Sequence, residues 1–290
     1  MFSVPVSFTF GFKPVPDELR PMILHEFAAN GAKYLMLTGT DISRIMENRD
    51  CAARFRQELA DEGLSYCDAH AAFGPMLDLA CPVAEVRPEM LMRHKLTLLI
   101  TASMGVKTIT IHTGNEPRHP DYPLEVQFDC LKRSLDELLP FAESLGITIC
   151  IENIWYQLNT PERLLAVKKE FPTDALGFCY DAGHANLMDK GRNFPDSKPA
   201  VGWGATTPAW DDHILEKMLP HVVNCHLHDN NGRLDDHIVP GLGTVNWKKI
   251  IPLLKKAPRL QVVTSEVIPI RTMSSIRDIC VSLEELGKIE

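Results

Sequence analysis

Residues 147–152 read ITICIE and residues 176–181 read LGFCYD. Each is a near-continuous apolar run, the pattern of a strand covered on both faces. Each ends in a carboxylate, Glu152 or Asp181, where a turn built on Gly, Asn or Pro is the usual continuation. The signature recurs in both directions along the chain. SYCDAH (65–70) ends at His70, TITIH (108–112) at His112, VVNCH (222–226) at His226 and VVTSE (262–266) at Glu266. With two further apolar runs near the N-terminus, strands are expected at about 4–10, 33–38, 64–69, 107–112, 147–152, 176–181, 222–228 and 261–267.

Helical patterns lie between them. ELRPMILHEFAANG ends at Gly31, LEVQFDCLKRSLDELLPFAESLG ends at Gly146, and SSIRDICVSLEELG closes the chain; each carries apolar residues at three- and four-residue spacing. Strands flanked by helices imply parallel pairing. Eight of them in 290 residues point to an α/β chain folded as one (β/α)8 TIM barrel over 1–290. An open doubly wound sheet would want a Gly-rich phosphate loop after an early strand, and neither GxGxxG nor GxxxxGK followed by Ser or Thr occurs. Residues 191–210 and 229–245 lack helical period and are expected as loop insertions on the C-terminal rim.

The net charge of -8 leaves no basic footprint, which argues against a general nucleic-acid binder while leaving room for a local basic groove; the expected partner is a small molecule. The eight cysteines form no CxxC pair and read as free thiols in a reducing compartment. No signal peptide and no apolar run of membrane-spanning length is apparent, so a cytoplasmic protein without membrane association is expected.

The strand ends of a parallel barrel share one face, and that face carries the active site in essentially every characterised case. Glu152, Asp181 and Glu266 offer hard oxygen donors and His226 a nitrogen, a set suited to Mn, Co, Fe, Zn or Mg. Singly, a strand-end His is more often a hydrogen-bonded structural residue and a strand-end Glu a helix cap. Together they need a cation, because a buried ring of acids is costly without one. His184 in YDAGHAN (180–186) and Asp235 and His237 in LDDHIVPG (234–241) extend the set. Phe10, Phe12, Phe73, Trp155 and Tyr156 are expected near the rim as stacking surfaces for a sugar. Trp203 and Trp210 are lid candidates, and Trp247 is expected to pack a helix on the barrel.

The segments IHTG (111–114), IEN (151–153), YDAGHAN (180–186), HLHDNNG (226–232), DDHIVPGLGTVNW (235–247) and SEV (265–267) resemble the xylose-isomerase-like barrel superfamily. It joins sugar isomerases and epimerases with abasic-site nucleases of the endonuclease IV type. The resemblance to the epimerase branch implies one divalent ion on Glu152, Asp181, His226 and Glu266, with Glu152 and Glu266 as the acid/base pair. It further implies an enediolate route, a substrate contact from His184, and one from Arg233 to a hydroxyl or phosphate of a sugar or sugar phosphate. The resemblance to the nuclease branch implies a phosphodiesterase with up to three zinc ions, on His70, His112, Glu152, Asp181, His184, His226, Asp235, His237 and Glu266. Departures exist from both. Leu158 stands where epimerases of rare ketoses carry another Glu, and HLHD (226–229) has a His where the nucleases favour Asn. Members are often dimers or tetramers, which leaves a homo-oligomer open. The first expectation is an isomerase or epimerase; the alternative is the zinc phosphodiesterase.

Overall fold

A computed structural model describes residues 1–290. Its strands are β1 (Val6–Phe8), β2 (Tyr34–Leu37), β3 (Ser65–His70), β4 (Thr108–Thr110), β5 (Thr148–Glu152), β6 (Leu176–Asp181), β7 (Val222–Leu227) and β8 (Val262–Ser265). They pair in parallel, in chain order, and β8 closes on β1. The architecture is the (β/α)8 barrel expected from the alternating runs. The expected helices form at Arg20–Ala29, Leu124–Ser144 and Ile276–Lys288. No helix is long and apolar enough to cross a membrane.

Several strands are shorter than their apolar runs. β1 begins at Val6 because Pro5 has no N–H to give to the ladder, although its carbonyl accepts from Val263 N at 3.0 Å. β4 stops at Thr110 and β8 at Ser265, so His112 and Glu266 sit just past their strands. Parallel register still aligns the ends. Asp181 faces His226 across β6 and β7, and Leu227 faces Ser265 across β7 and β8. This levelling brings residues far apart in sequence to one height on the barrel.

All eight cysteines are free thiols, and seven of them are buried. Residues 191–210 are not wholly irregular, contrary to the sequence reading. A short helix, Lys198–Trp203, forms there because Ser197 Oγ caps its start at 3.4 Å from Ala200 N and Pro199 suits the first turn. Within 229–245 a two-bond antiparallel bridge joins Asp229 and Ile238, at 2.8 and 3.0 Å. It folds the loop back toward the barrel mouth.

Candidate metal centre

Three carboxylates surround one imidazole at the mouth. His226 Nδ1 lies 2.9 Å from Glu152 Oε1, 3.5 Å from Glu266 Oε1 and 3.9 Å from Asp181 Oδ2. One donor atom from each of the four residues lies within 4.8 Å of the others. Glu152, Asp181 and His226 are buried, so water does not screen them. Burial opposes the charge on Glu152, yet His226, then His112 and His184, outweigh it and hold its carboxyl well below the usual range. Burial likewise works against a charged His226, but Glu266 and Glu152 prevail and push it up to about 10. Glu152 Oε2 is buried and has no hydrogen bond of regular geometry, His112 Nε2 standing 3.2 Å from it. Such an oxygen is costly unless a cation meets it. Three hard oxygens, one nitrogen and an orphaned carboxylate oxygen fit a divalent ion.

A second group shares Glu152. His70, His112 and Glu152 also present donor atoms within 4.8 Å of one another, with His112 Nε2 3.2 Å from Glu152 Oε2. Burial and the neighbouring His112 push the His70 imidazole down to about 4. A third group comprises His184, His228, Asp235 and His237. His237 Nε2 lies 3.0 Å from Asp235 Oδ2, and the His228 and His237 rings stack with centroids 3.9 Å apart. Asp235 Oδ1 is buried without a hydrogen bond. His237 has a φ of 53°, an uncommon conformation for a side-chain-bearing residue and one that clusters at functional sites.

Backbone carbonyls orient the imidazoles. Nδ1 of His70 donates to Ala71 O at 2.8 Å, Nδ1 of His184 to Asn153 O at 3.0 Å and Nδ1 of His237 to Glu266 O at 2.8 Å. A carbonyl only accepts, so each Nδ1 carries a proton; Nε2 of His70 is left free to meet a metal, whereas Nε2 of His237 already faces Asp235 Oδ2 at 3.0 Å. Asp181 is braced as well. Its Oδ1 accepts from His184 N at 2.6 Å, capping the helix Ala182–Leu187, and its Oδ2 lies 3.1 Å from His228 Nε2. Asn153 bonds the Asp181 backbone at both N–H and carbonyl, at 2.9 and 3.0 Å.

A polar layer lies beneath the acids. Asp68 on β3 is fully buried and accepts from Thr108 Oγ1 at 2.7 Å, Thr264 Oγ1 at 2.9 Å and Asn224 Nδ2 at 3.2 Å. Asn224 also donates to Thr110 Oγ1 at 3.0 Å, and Thr110 Oγ1 stands 3.5 Å from His226 Nε2. The sequence reading passed over Asp68 and His228. The signal was present in the two-residue spacing of D-x-H (68–70) and H-x-H (226–228), which aims both members of each pair at one face.

Above the acids lies a cavity of about 260 Å³. Its wall carries His70, His112, Glu152, His184, Asp235, His237 and Glu266, together with Asp78, Asn115, Arg118 and Tyr156. Trp155 lines it and meets the His184 ring edge-on, at 5.0 Å and 81°.

Other expectations require correction. Arg233 does not reach the cavity; it is exposed and pairs with Asp196. Arg118, bound to Asp78 at 3.0 Å, is the cationic side chain on the cavity wall. Trp203 is no lid: it is buried, and its Nε1 donates to Trp155 O at 2.6 Å, propping the wall from behind. Trp210 is not among the lining residues. Phe10 and Phe12 are buried core, and the Arg20 guanidinium lies 4.0 Å over the Phe12 ring. Trp247 Nε1 donates to Asp229 Oδ2 at 3.0 Å, tying the helix Trp247–Leu254 to the barrel.

A family model described as "Xylose isomerase-like TIM barrel" matches residues 24–271. The chain belongs to the xylose isomerase-like TIM barrel family. Among relatives, an uncharacterized protein of Methanocaldococcus jannaschii is 28% identical over 155 residues, 52% of this chain and 47% of that protein. A probable endonuclease 4 of Halorhodospira halophila is 24% identical over 204 residues, 67% of this chain and 64% of that protein. The matches thus span between about half and two thirds of these relatives. Solved structures share the xylose isomerase-like fold along nearly the whole chain. A D-psicose 3-epimerase from Clostridium cellulolyticum, with D-tagatose, superimposes with a TM-score of 0.73 at 12% identity, covering 98% of this chain and 99% of the other. The IolI protein with a bound zinc atom gives 0.67 at 14% identity, covering 97% and 96%.

Proposed function

We propose that the protein is a divalent-metal-dependent isomerase or epimerase of a sugar or sugar derivative. The observation that carries this reading is the convergence of Glu152, Asp181, His226 and Glu266 on one point beneath a cavity the size of a single sugar ring. These four would hold the ion, which suits Mn, Co, Zn or Mg. When bound, a divalent ion polarises a substrate carbonyl and stabilises negative charge that develops on its oxygen. Glu152 and Glu266 come from β5 and from just past β8, on different sides of the mouth, and both border the cavity. One carboxylate removes the proton from the carbon beside the carbonyl, and the other delivers a proton after the enediolate forms. Asp78, Asn115 and Arg118 supply hydrogen bonds to hydroxyls at the cavity wall. Trp155 and Phe73 offer flat faces to the ring. His184 is held by Asn153 with its Nε2 toward Asp235, 3.7 Å away, a position from which it meets a substrate oxygen.

The second and third ligand groups favour one other reading, a zinc phosphodiesterase of the endonuclease IV type using up to three ions. Two measurements on the purified protein decide between them. Incubation of ketoses in heavy water tests for deuterium at the carbon beside the carbonyl. Elemental analysis counts metals per chain. Exchange with one essential ion supports the isomerase; no exchange on any ketose, with three zinc ions and cleavage of a phosphodiester, replaces it with the second reading.

A further inference from the structure

The ligand groups do not face a single cavity. A second and larger recess of about 980 Å³ opens beside the first, between the loops that follow β1, β2 and β8. Thr9, His70, Phe73, Glu266 and Ile268 line both spaces. The two recesses are therefore adjacent, with these five residues on the boundary between them. The inner part, about 260 Å³, is smaller than the ~300–1,000 Å³ typical of drug-sized ligand sites, and the outer part is at the top of that range.

The outer trough is built with care at its base. Gly39 opens the helix after β2, and a Cβ there would stand 2.5 Å from Ala72 N. Only glycine lets that loop press against the end of β3 and leave the space open above it. The lining combines the exposed ring of Phe73 with polar groups that have capacity to spare. Lys13 forms no salt bridge and no side-chain hydrogen bond in the structure, and its ammonium is exposed. The Thr9 hydroxyl has only a 3.9 Å contact to Met36 Sδ. Arg44, by contrast, is committed to Asp17, at 2.6 Å from both carboxylate oxygens. Charge decides what the trough suits. Lys13 and Arg44 face Asp17, Glu47 and Glu266, two positive groups against three negative ones. A groove for a nucleic-acid backbone needs a surplus of cations to replace the counterions of its phosphates. A near-neutral trough of hydroxyls, one free amine and one flat aromatic face suits an uncharged sugar.

We propose that the outer trough is a second sugar subsite, and that the substrate is a glycosylated keto-sugar whose reacting ring occupies the inner cavity while its second ring lies between Lys13 and Phe73. The inference rests on the isomerase reading for the identity of the reacting ring; the binding preference stands apart from it.

The test compares D-fructose with three disaccharides that carry a free ketose unit: isomaltulose, maltulose and lactulose. Binding is measured by calorimetry on the metal-loaded protein, and deuterium exchange is measured alongside. At least one disaccharide is expected to bind tenfold or more tighter than D-fructose. Gly11 lines the trough, and a Cβ there meets nothing within 4 Å, so Gly11→Trp fills the space. In that variant the disaccharide-to-fructose affinity ratio is expected to fall at least fivefold. Lys13→Ala, at an exposed position, is the second variant and is expected to lower the ratio in the same direction. Equal or weaker binding of all three disaccharides overturns the proposal, as does a ratio unmoved by both variants. Tighter binding of a duplex oligonucleotide than of any sugar, lost in Lys13→Ala, also overturns it and assigns the trough to nucleic acid. Tight disaccharide binding with no deuterium exchange leaves the subsite in place and sinks the isomerase reading alone.

Discussion

Glu152 Oε1 and His226 Nδ1 stand 2.9 Å apart although 74 residues separate them in the chain. That contact joins β5 to β7 and includes Glu152, the residue shared by the first two ligand groups.

Replacing Glu152 by Gln keeps its shape and removes its charge. We expect metal content to fall and turnover to drop by about 10²-fold or more, the lower end of a general acid/base contribution. The fold is expected to remain, because Gln occupies the same volume. Elemental analysis, deuterium exchange and circular dichroism check the three parts, and full activity in Glu152→Gln removes this residue from the mechanism.

Asp235→Ala and His237→Ala dismantle the third ligand group while sparing Glu152, Asp181, His226 and Glu266. An isomerase working with one ion is expected to lose less than tenfold in turnover. A hydrolase needing three ions is expected to lose on the order of 10³-fold or more. Turnover and metal count on each variant separate the outcomes.

Gly183 lies against His228. A Cβ at this position would stand 2.0 Å from His228 Cε1, so Gly183→Ala must drive the imidazole away from Asp181. Overpacking of this kind costs about 1–3 kcal/mol. We expect a lower urea midpoint with an unchanged slope. Unchanged stability would show that the helix Ala182–Leu187 shifts to make room.

His94 gives stability a pH dependence remote from the metal centre. Its Nε2–H donates to Leu77 O at 2.7 Å, and burial, the largest influence, pushes its imidazole below the ordinary 6.5. The unfolded chain therefore binds a proton that the folded chain resists. Stability is full above pH 6.5 and declines as pH falls below it, by up to about 1.4 kcal/mol per pH unit for one proton. His94→Leu removes that term. The stability of the wild type relative to this variant is expected to decrease between pH 6.5 and pH 5, by urea titration at each pH; a constant difference refutes the assignment.

The barrel was legible because a parallel strand buried on both faces leaves a continuous apolar run, and eight such runs survive in one sequence. The primary ligand group was legible because a charged residue at the end of such a run has few ordinary explanations. His228 escaped because it lies one residue beyond β7 and was read only as a departure from a motif. Asp68 carries a local signal in its two-residue spacing from His70, but its partners Thr108, Asn224 and Thr264 come from three other strands, up to 196 residues away. Arg118 follows His112 in a loop whose direction depends on its bond to Asp78. Arg233 was assigned toward the substrate, but the bridge between Asp229 and Ile238 leaves it on the outer side of its loop, within reach of Asp196.

The backbone anchors on His70, His184 and His237 carry a consequence for ion exchange. Each ring is fixed by a bond that needs no ion, so the second and third ligand groups would keep their shape whether or not an ion is bound. A pre-shaped cage of mixed donors discriminates weakly among first-row divalent ions beyond their intrinsic order of affinity. An ion held in such a cage would then follow the supply of its surroundings.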